Sequence, residues 1–108
     1  MFEVFRNDAG GKYYYRLRSP AGETILASEG YERKAFALNG IQAVKRHAVE
    51  SSNYEIRPVA GGKWHFVLHA CNGEPIGSSQ LYTGRDGVRH GMAAVVKHVT
   101  DGIRDLTV

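Results

Sequence analysis

The sequence repeats itself at a period of about fifty residues, and this repeat limits the possible folds more than any other feature. Sliding the chain by 51 residues places identical residues on one another along its length: Lys12 on Lys63, Leu17 on Leu68, Tyr31 on Tyr82, Gly40 on Gly91 and His47 on His98. When one residue is removed near Gly10, residues 2–4 also match residues 54–56. A fixed period of this length indicates an internal duplication, in which each copy is one structural unit and neighbouring copies share a core.

Three segments in each copy have the period-two pattern of a β-strand. The first is residues 2–6 or 54–57, and the third is residues 24–28 or 75–79, which follows a glycine-containing turn. The second strand is the stretch YYYRLR, which becomes WHFVLH in the second copy. Side chains alternate across a strand, so one face of both second strands is apolar and is expected to lie in the core. That face carries Tyr13, Tyr15, Leu17, Trp64, Phe66 and Leu68.

After the third strand the hydrophobic period lengthens, which predicts an amphipathic helix in each copy. The two apolar stripes keep the same spacing: Ala37, Ile41, Val44 and Ala48 in the first copy, and Val88, Met92, Val95 and Val99 in the second. Each helix also contains a glycine, Gly40 or Gly91, at a cost of roughly 1 kcal/mol relative to alanine. We expect these glycines to let the helix approach the sheet or the other helix closely. In the second copy, Thr83 with Asp86 predicts a capped helix start.

Together these patterns predict an α+β fold of two tandem β-β-β-α(-β) repeats, about residues 2–51 and 54–102, with a short C-terminal strand at residues 103–108. One three-stranded meander with one helix buries too little apolar surface by itself. We therefore expect the copies to share one antiparallel sheet with both helices packed on one face, so that residues 1–108 form a single domain. This arrangement hides four aromatic rings beneath the helices: Tyr13, Tyr15, Trp64 and Phe66.

The composition is that of an ordinary globular protein, with 43% hydrophobic and 23% charged residues, and it argues against disorder. The single cysteine, Cys71, cannot form an internal disulfide. No apolar run approaches the ~20 residues of a membrane helix, and no secretory segment opens the chain, so we expect a cytoplasmic protein without a membrane partner. The net charge of +3 is spread over both halves and provides no basic tail that would bind nucleic acid by charge alone.

Several stretches of the chain resemble the YegP-like family of small bacterial proteins. They are FEVFRNDAGGKYYYRLRSPAGETILASEGY, NGIQAV on the first helix, and NGEPIGSSQLY in the second copy. The resemblance implies β-β-β-α-β units that assemble into a single sheet with exchanged terminal strands. Single-copy members would need to dimerise to complete that sheet, whereas a two-copy chain can complete it alone. A monomer is therefore expected, with a dimer formed by strand exchange as the alternative, and the resemblance leaves the biochemical activity open.

No constellation of residues indicates catalysis, a cofactor or a metal centre, and we expect a non-enzymatic protein. His65 and His69 share a strand face, but four residues of strand span ~13 Å, which is too far for both to bind one ion. Cys71 with His69 is the only pairing of a nucleophile with a nearby base, yet Cys71 opens a turn and nothing identifiable orients His69. No phosphate-binding loop, dinucleotide fingerprint or nucleophile elbow is present.

The face of the sheet that the helices leave uncovered is the candidate binding site. Alternation places five candidate residues on it: Tyr14, Arg16, Arg18, His65 and His69. Aromatic and cationic side chains on an exposed sheet suit base stacking and phosphate contact, as in sheet-based RNA binders. Three interpretations remain open: weak, sequence-tolerant binding of single-stranded nucleic acid, a surface for a protein partner or self-association, and a solvated face whose basic residues pair with Glu3 and Glu55.

Overall fold

Two α-helices lie on one face of a seven-stranded β-sheet in the computed structural model, which describes residues 1–108. Each helix has 14 residues, and neither is long and apolar enough to cross a membrane. The elements in chain order are β1 (Phe2–Arg6), β2 (Tyr13–Arg18), β3 (Thr24–Ala27), α1 (Lys34–His47), a 3₁₀ turn (Ser51–Asn53), β4 (Tyr54–Val59), β5 (Lys63–His69), β6 (Pro75–Ser78), α2 (Arg85–His98) and β7 (Ile103–Asp105).

The strands lie in the order β4-β5-β6-β3-β2-β1-β7, so the two copies form the two halves of one sheet. This confirms the predicted α+β fold of two tandem repeats. Neighbouring strands are antiparallel except for β7, which runs parallel to β1. The exception arises because the chain leaves α2 close to the start of β1, where the Met1 amino group contacts Asp101 at 2.6 Å. The sheet halves meet at a single pairing, Ala27 with Ser78, whose positions are 51 residues apart.

Each helix packs on strands from both copies. α1 lies on β1 and β2 of its own copy and reaches β5 and β6 of the other, while α2 lies on β5 and reaches β3. The hydroxyl of Tyr15 on β2 donates a hydrogen bond to the carbonyl of Ile76 on β6. The core therefore crosses the boundary between the copies. Its fully buried residues come from both copies and are Phe2, Tyr15, Leu17, Leu26, Ile41, Val44, Phe66, Leu68, Val88 and Val95.

Two of the four aromatic rings expected beneath the helices are fully buried and two are not. Tyr15 and Phe66 have no exposed surface. Tyr13 and Trp64 lie at the starts of β2 and β5 and are partly exposed. Trp64 is instead covered on one face by the guanidinium of Arg85, at 4.8 Å from the ring centre. The apolar face of each second strand thus runs from the core to the rim of the sheet.

The two helix glycines lie where the helices come closest to aromatic rings, as expected from their shared position in the repeat. A Cβ atom built on Gly40 would lie 2.7 Å from a ring carbon of Tyr15 and 2.9 Å from the hydroxyl of Tyr31. A Cβ atom on Gly91 would lie 2.2 Å from the Tyr82 hydroxyl. The missing side chain lets each helix rest directly on these rings.

The predicted cap at Thr83 is wrong. Helix α2 begins at Arg85, and its N-cap residue is Gly84, which has no side chain with which to bond the free backbone N–H groups. Thr83 stands one residue too early for that role, and its side chain is exposed. Helix α1 also lacks a side-chain cap, because its N-cap residue, Arg33, makes no capping hydrogen bond. Neither helix start is therefore held by a side-chain cap.

Replacing Gly40 with alanine will destabilise the protein by about 1–3 kcal/mol, because the new methyl group has to displace the buried Tyr15 ring. Helix propensity alone would give the opposite sign, a gain of about 1 kcal/mol. Urea unfolding of the variant measures the difference. Gly10→Ala is the control, since nothing lies within 4 Å of a Cβ atom there. A gain in stability for Gly40→Ala would contradict the close approach.

Replacing Tyr15 with phenylalanine will cost about 1–3 kcal/mol of folding free energy, because the carbonyl of Ile76 loses its donor across the boundary between the copies. Burial raises the pKa of the Tyr15 hydroxyl, so this group remains a donor at neutral pH. The matched control is Tyr13→Phe, which removes a hydroxyl that makes no hydrogen bond within the chain. Equal stabilities of the two variants would show that the bond across the boundary contributes nothing.

Candidate binding face

The open face is defined here as the sheet surface opposite the two helices. Register and alternation place on it Glu3 and Phe5 of β1, Tyr14, Arg16 and Arg18 of β2, Glu55 and Arg57 of β4, His65, Val67 and His69 of β5, and Arg104 of β7. The five residues singled out from the sequence therefore share this face. They do not form one cluster, because Tyr14, Arg16 and Arg18 lie in one half of the sheet and the two histidines lie in the other.

Three arginines surround one carboxylate in the first half of the open face. Glu3 is only 7% exposed, and its Oε1 lies 2.7 Å from Nε of Arg16 and 3.6 Å from Nε of Arg18. Its Oε2 lies 3.6 Å from Nη1 of Arg104, which β7 brings to the same point. Burial alone would raise the pKa of Glu3, but the hydrogen bond from Arg16 and the charges of the three arginines lower it overall. One buried negative charge therefore holds three positive charges, two of which are not compensated within this cluster.

Two aromatic rings support this arginine cluster. Phe5 and Tyr14 face each other across β1 and β2, with ring centres 5.6 Å apart and planes inclined by 17°. The guanidinium of Arg16 lies 4.3 Å from the centre of the Phe5 ring. Phe5 is thus contacted by Tyr14 and by Arg16, and both neighbours are held in a defined position. Cation–π contacts of this kind are worth roughly 0.5–1 kcal/mol at exposed sites.

The second half of the open face is close to neutral. Glu55 pairs with Arg57 at 2.8 Å and with Nε2 of His69 at 3.0 Å. The hydrogen bonds from Arg57 and His69 lower the pKa of Glu55 to about 2. The positions equivalent to Arg16 and Arg18 hold Val67 and His69, which explains the loss of charge. Pairing of basic residues with Glu3 and Glu55, one of the three interpretations of this face, therefore occurs in both halves.

A shallow trough of about 270 Å³ lies on the open face where the two halves meet. Its lining includes small residues from β3 and β6, namely Ala27, Gly77 and Ser78. His65 and Arg57 form one wall. Typical small-molecule sites have volumes of roughly 300–1,000 Å³ and are mostly apolar, whereas this trough has only two apolar lining residues among nine.

The remaining chemically reactive groups do not converge. Both ring nitrogens of His69 are engaged, Nδ1 with the carbonyl of Gly73 at 3.1 Å and Nε2 with Glu55 at 3.0 Å. Cys71 is exposed on the following turn and forms no hydrogen bond with His69. No three histidine, cysteine, aspartate or glutamate side chains lie where they could hold one metal ion. The carboxylate that orients His69 is Glu55, a partner that we did not identify from the sequence.

Arg104 is the member of the arginine cluster that sequence reasoning missed. Its strand was expected, but nothing in the repeat indicates which edge that strand joins. Arg57, which lines the trough, was missed as well, although its position two residues after Glu55 on a strand places both on one face. Alternation could therefore have found Arg57, whereas Arg104 required knowledge of the β1–β7 pairing.

Comparisons with known proteins agree with the repeat. The family model described as "Domain of unknown function (DUF1508)" matches twice, at residues 8–55 and 60–105. A UPF0339 protein from the region 5′ of the ptx operon of Stutzerimonas stutzeri is 37% identical over 100 residues, which cover 93% of this chain and 89% of that protein. The solution NMR structure of yegP from E. coli, a protein of unknown function, superposes with a TM-score of 0.91 at 34% identity, covering 98% of this chain and 91% of that one. A UPF0339 protein from Shewanella oneidensis gives a TM-score of 0.90 at 31% identity, covering 98% and 90% of the two chains.

Acidification will release β7, and with it Arg104, before the rest of the sheet. Hydrogen bonds from Lys34 and Thr107 lower the pKa of Asp105 from 3.8 to about 2, and the Met1 amino group lowers the pKa of Asp101. A lowered folded-state pKa stabilises the fold above pH 3.8, and this contribution is lost as the pH falls towards 2. Carbon chemical shifts of β7 should therefore move towards random-coil values in that window while those of β5 do not.

The double variant Asp101→Asn with Asp105→Asn is the control for this titration. It should show a loosened β7 already at pH 5 and a smaller further change on acidification, because Glu3, which contacts Arg104, still titrates after the two aspartates are removed. Shifts of β7 that stay constant down to pH 2 in the unmodified chain would contradict the role of these two carboxylates.

Proposed function

The chain belongs to the DUF1508 family, with two copies of its unit in tandem, and we propose that it is a non-enzymatic binding module whose open face receives an anionic partner. The single observation that supports this most strongly is the cluster of Arg16, Arg18 and Arg104 around one buried carboxylate. A charged group held rigidly without full compensation attracts an oppositely charged ligand and loses little conformational entropy on binding.

Glu3 organises the cluster and does not neutralise it. Its carboxylate accepts the Arg16 hydrogen bond and lies beneath the other two guanidinium groups, so the arginines share one anchor and repel one another. Arg104 keeps 61% of its side chain exposed and Arg18 keeps 36%. Arg18 donates through Nη1 to the hydroxyl of Thr24 at 3.5 Å, which leaves its Nη2 and the exposed part of Arg104 for an anion. Guanidinium groups bind phosphate and carboxylate oxygens in pairs.

Single-stranded nucleic acid is the anionic partner that the face fits best. The arginines lie on β2 and β7, the two strands that flank β1, and present a charged track across these neighbouring strands rather than a single pocket. Phe5 is already enclosed by Tyr14 and Arg16, so phosphate contacts, and not stacking on Phe5, would supply most of the affinity. Binding of this kind is weak, tolerant of sequence and strongly dependent on salt.

The proposed location of RNA binding is the cytoplasm. Single-stranded RNA is available in the cytoplasm, and a lone exposed thiol such as Cys71 stays reduced there. We propose that the chain acts there as a monomer, because the helices of each copy already cover the strands of the other. The trough at the boundary, which is small, polar and open, favours contact with an extended ligand over enclosure of a substrate.

A titration of fluorescent single-stranded RNA with the protein, repeated at several salt concentrations, tests this function. The logarithm of the affinity should fall linearly with the logarithm of salt concentration, and each of Arg18→Ala and Arg104→Ala should reduce the slope by about 0.7. Arg46→Ala, which removes an exposed arginine from helix α1 on the opposite side of the sheet, should leave both affinity and slope unchanged.

Absence of a shift at low salt would retire the nucleic-acid interpretation. Equal losses for Arg104→Ala and Arg46→Ala would show that net charge, and not the open face, is responsible. Thermal unfolding of each variant should accompany the titration, because Arg104 also contacts the buried carboxylate and its loss should leave the fold intact while weakening binding.

A further inference from the structure

The β1 edge of the sheet shows how this fold holds an added strand. β7 runs parallel along that edge, where the N–H of Phe2 donates to the carbonyl of Gly102 at 3.0 Å. The N–H of Leu106 then donates to the carbonyl of Val4 at 2.8 Å. Only three residues of β7 are in strand conformation, so the backbone contacts are few.

Two ion pairs supplement these backbone contacts, one on each face of the sheet. On the open face Arg104 lies 3.6 Å from the carboxylate of Glu3. On the helix face Asp105 pairs with Lys34, the first residue of α1. The edge of β1, with Glu3 on one face and Lys34 on the other, thus forms a slot for an added strand. This slot suits a strand in which a basic residue is followed directly by an acidic one.

The equivalent edge at β4 has no such strand, although the repeat supplies the same slot. In the second copy the chain leaves its helix and forms β7, but in the first copy the corresponding residues 50–53 link α1 directly to β4. β4 is consequently the last strand of the sheet. The exposure of the aligned glutamates reflects this difference, because the side chain of Glu55 is 50% exposed and that of Glu3 is 10% exposed.

The charged anchors of the slot are nevertheless present at β4. Glu55 occupies the position of Glu3, and Arg85, the first residue of α2, occupies the position of Lys34. Arg85 makes no ion pair and lies over the Trp64 ring at 4.8 Å. A strand beside β4 would therefore meet a carboxylate on the open face and a free guanidinium on the helix face, as β7 meets Glu3 and Lys34.

The apolar surroundings of the slot are present too. A depression of about 120 Å³ beside the start of β4 is lined mainly by apolar residues, and Val96 at its rim is 42% exposed. Val96 stands where the first copy has Lys45, so the residue of an added strand that faces Tyr54 would meet an apolar surface. Pro58 has no N–H group and limits the pairing to a few residues, as in β7.

We propose that the β4 edge is a docking site for an extended segment of a protein partner, which adds to the sheet parallel to β4. The segment has the order apolar, basic, acidic, apolar, with the basic residue on Glu55 and the acidic residue on Arg85. This is strand addition, in which main-chain hydrogen bonds supply affinity and side chains supply specificity. The site uses the sheet edge and is independent of the nucleic-acid interface proposed for the arginine cluster.

The peptide DGIRDLTV, which is residues 101–108 of this chain, is the probe because it already carries the required pattern. Titrated as the acetylated synthetic peptide into the ¹⁵N-labelled full-length protein, it should shift the amide signals of Glu55, Ile56 and Arg57 and the Trp64 side chain, and leave those of Phe2–Arg6 unchanged. The peptide DGIDRLTV, in which the charged pair is exchanged, should bind about tenfold more weakly.

Protein variants separate the proposed slot from other modes of binding. Glu55→Gln and Arg85→Gln should each weaken the peptide several-fold, whereas Lys34→Gln, at the equivalent position of the occupied slot, should leave its affinity at the β4 amides unchanged. Chemical shifts of the free variants establish that each is folded. Shifts confined to Phe2–Arg6, equal affinity of the two peptides, or no binding at millimolar peptide would each overturn the proposal. Self-association of the free protein that is abolished by Glu55→Gln would overturn it as well, because the occupant would then be a second copy.

Discussion

The packing of each helix across the boundary between the two copies is the interaction on which the rest of this structure depends. Within the sheet the copies meet at two short junctions, the single pairing of Ala27 with Ser78 and the three-residue pairing of β7 with β1. The core adds a further junction, where α1 reaches β5 and β6, and α2 reaches β3. Gly40 and Gly91 let each helix lie directly on aromatic rings of its own copy, and from there each helix reaches strands of the other copy. The open face depends on this core, because the core holds the two halves of the sheet together.

The fusion of two copies into one chain breaks the symmetry of the fold at both sheet edges. The residues that link α1 to β4 correspond to those that form β7 after α2, so one chain can cover only one edge. That difference adds to the contrast in charge between the two halves, because the strand that covers β1 also brings Arg104 to the buried Glu3, while Val67 and His69 replace Arg16 and Arg18 in the second half. The two copies thus share a core and differ at their surfaces, one half being cationic and the other nearly neutral.

The residues of the repeat predicted most of the fold. Apolar side chains recur every two residues on the core face of a strand and about every three and a half residues on the core face of a helix, so both patterns can be read locally. The same reasoning placed Tyr14, Arg16 and Arg18 on one face, because alternation within a strand is a local property. It could not place Arg104, since the partner of β7 lies about a hundred residues earlier in the chain and no sequence signal links them. It also missed the stacking of Arg16 on Phe5, which depends on the register between two strands. Thr83 was misassigned as a helix cap because helix boundaries shift by one or two residues with tertiary packing.

We propose that the shared core makes residues 1–108 a single cooperative folding unit, and equilibrium urea unfolding followed residue by residue by NMR tests this most directly. If the helices hold the copies together, amide signals from both copies will disappear at one urea concentration. The substitution Val44→Ala leaves a cavity at the buried face of α1. It will then lower the urea midpoint of unfolding of the second copy as much as that of the first. Two separate transitions, or a second copy whose midpoint does not respond to Val44→Ala, would show that the halves fold independently and would contradict the account.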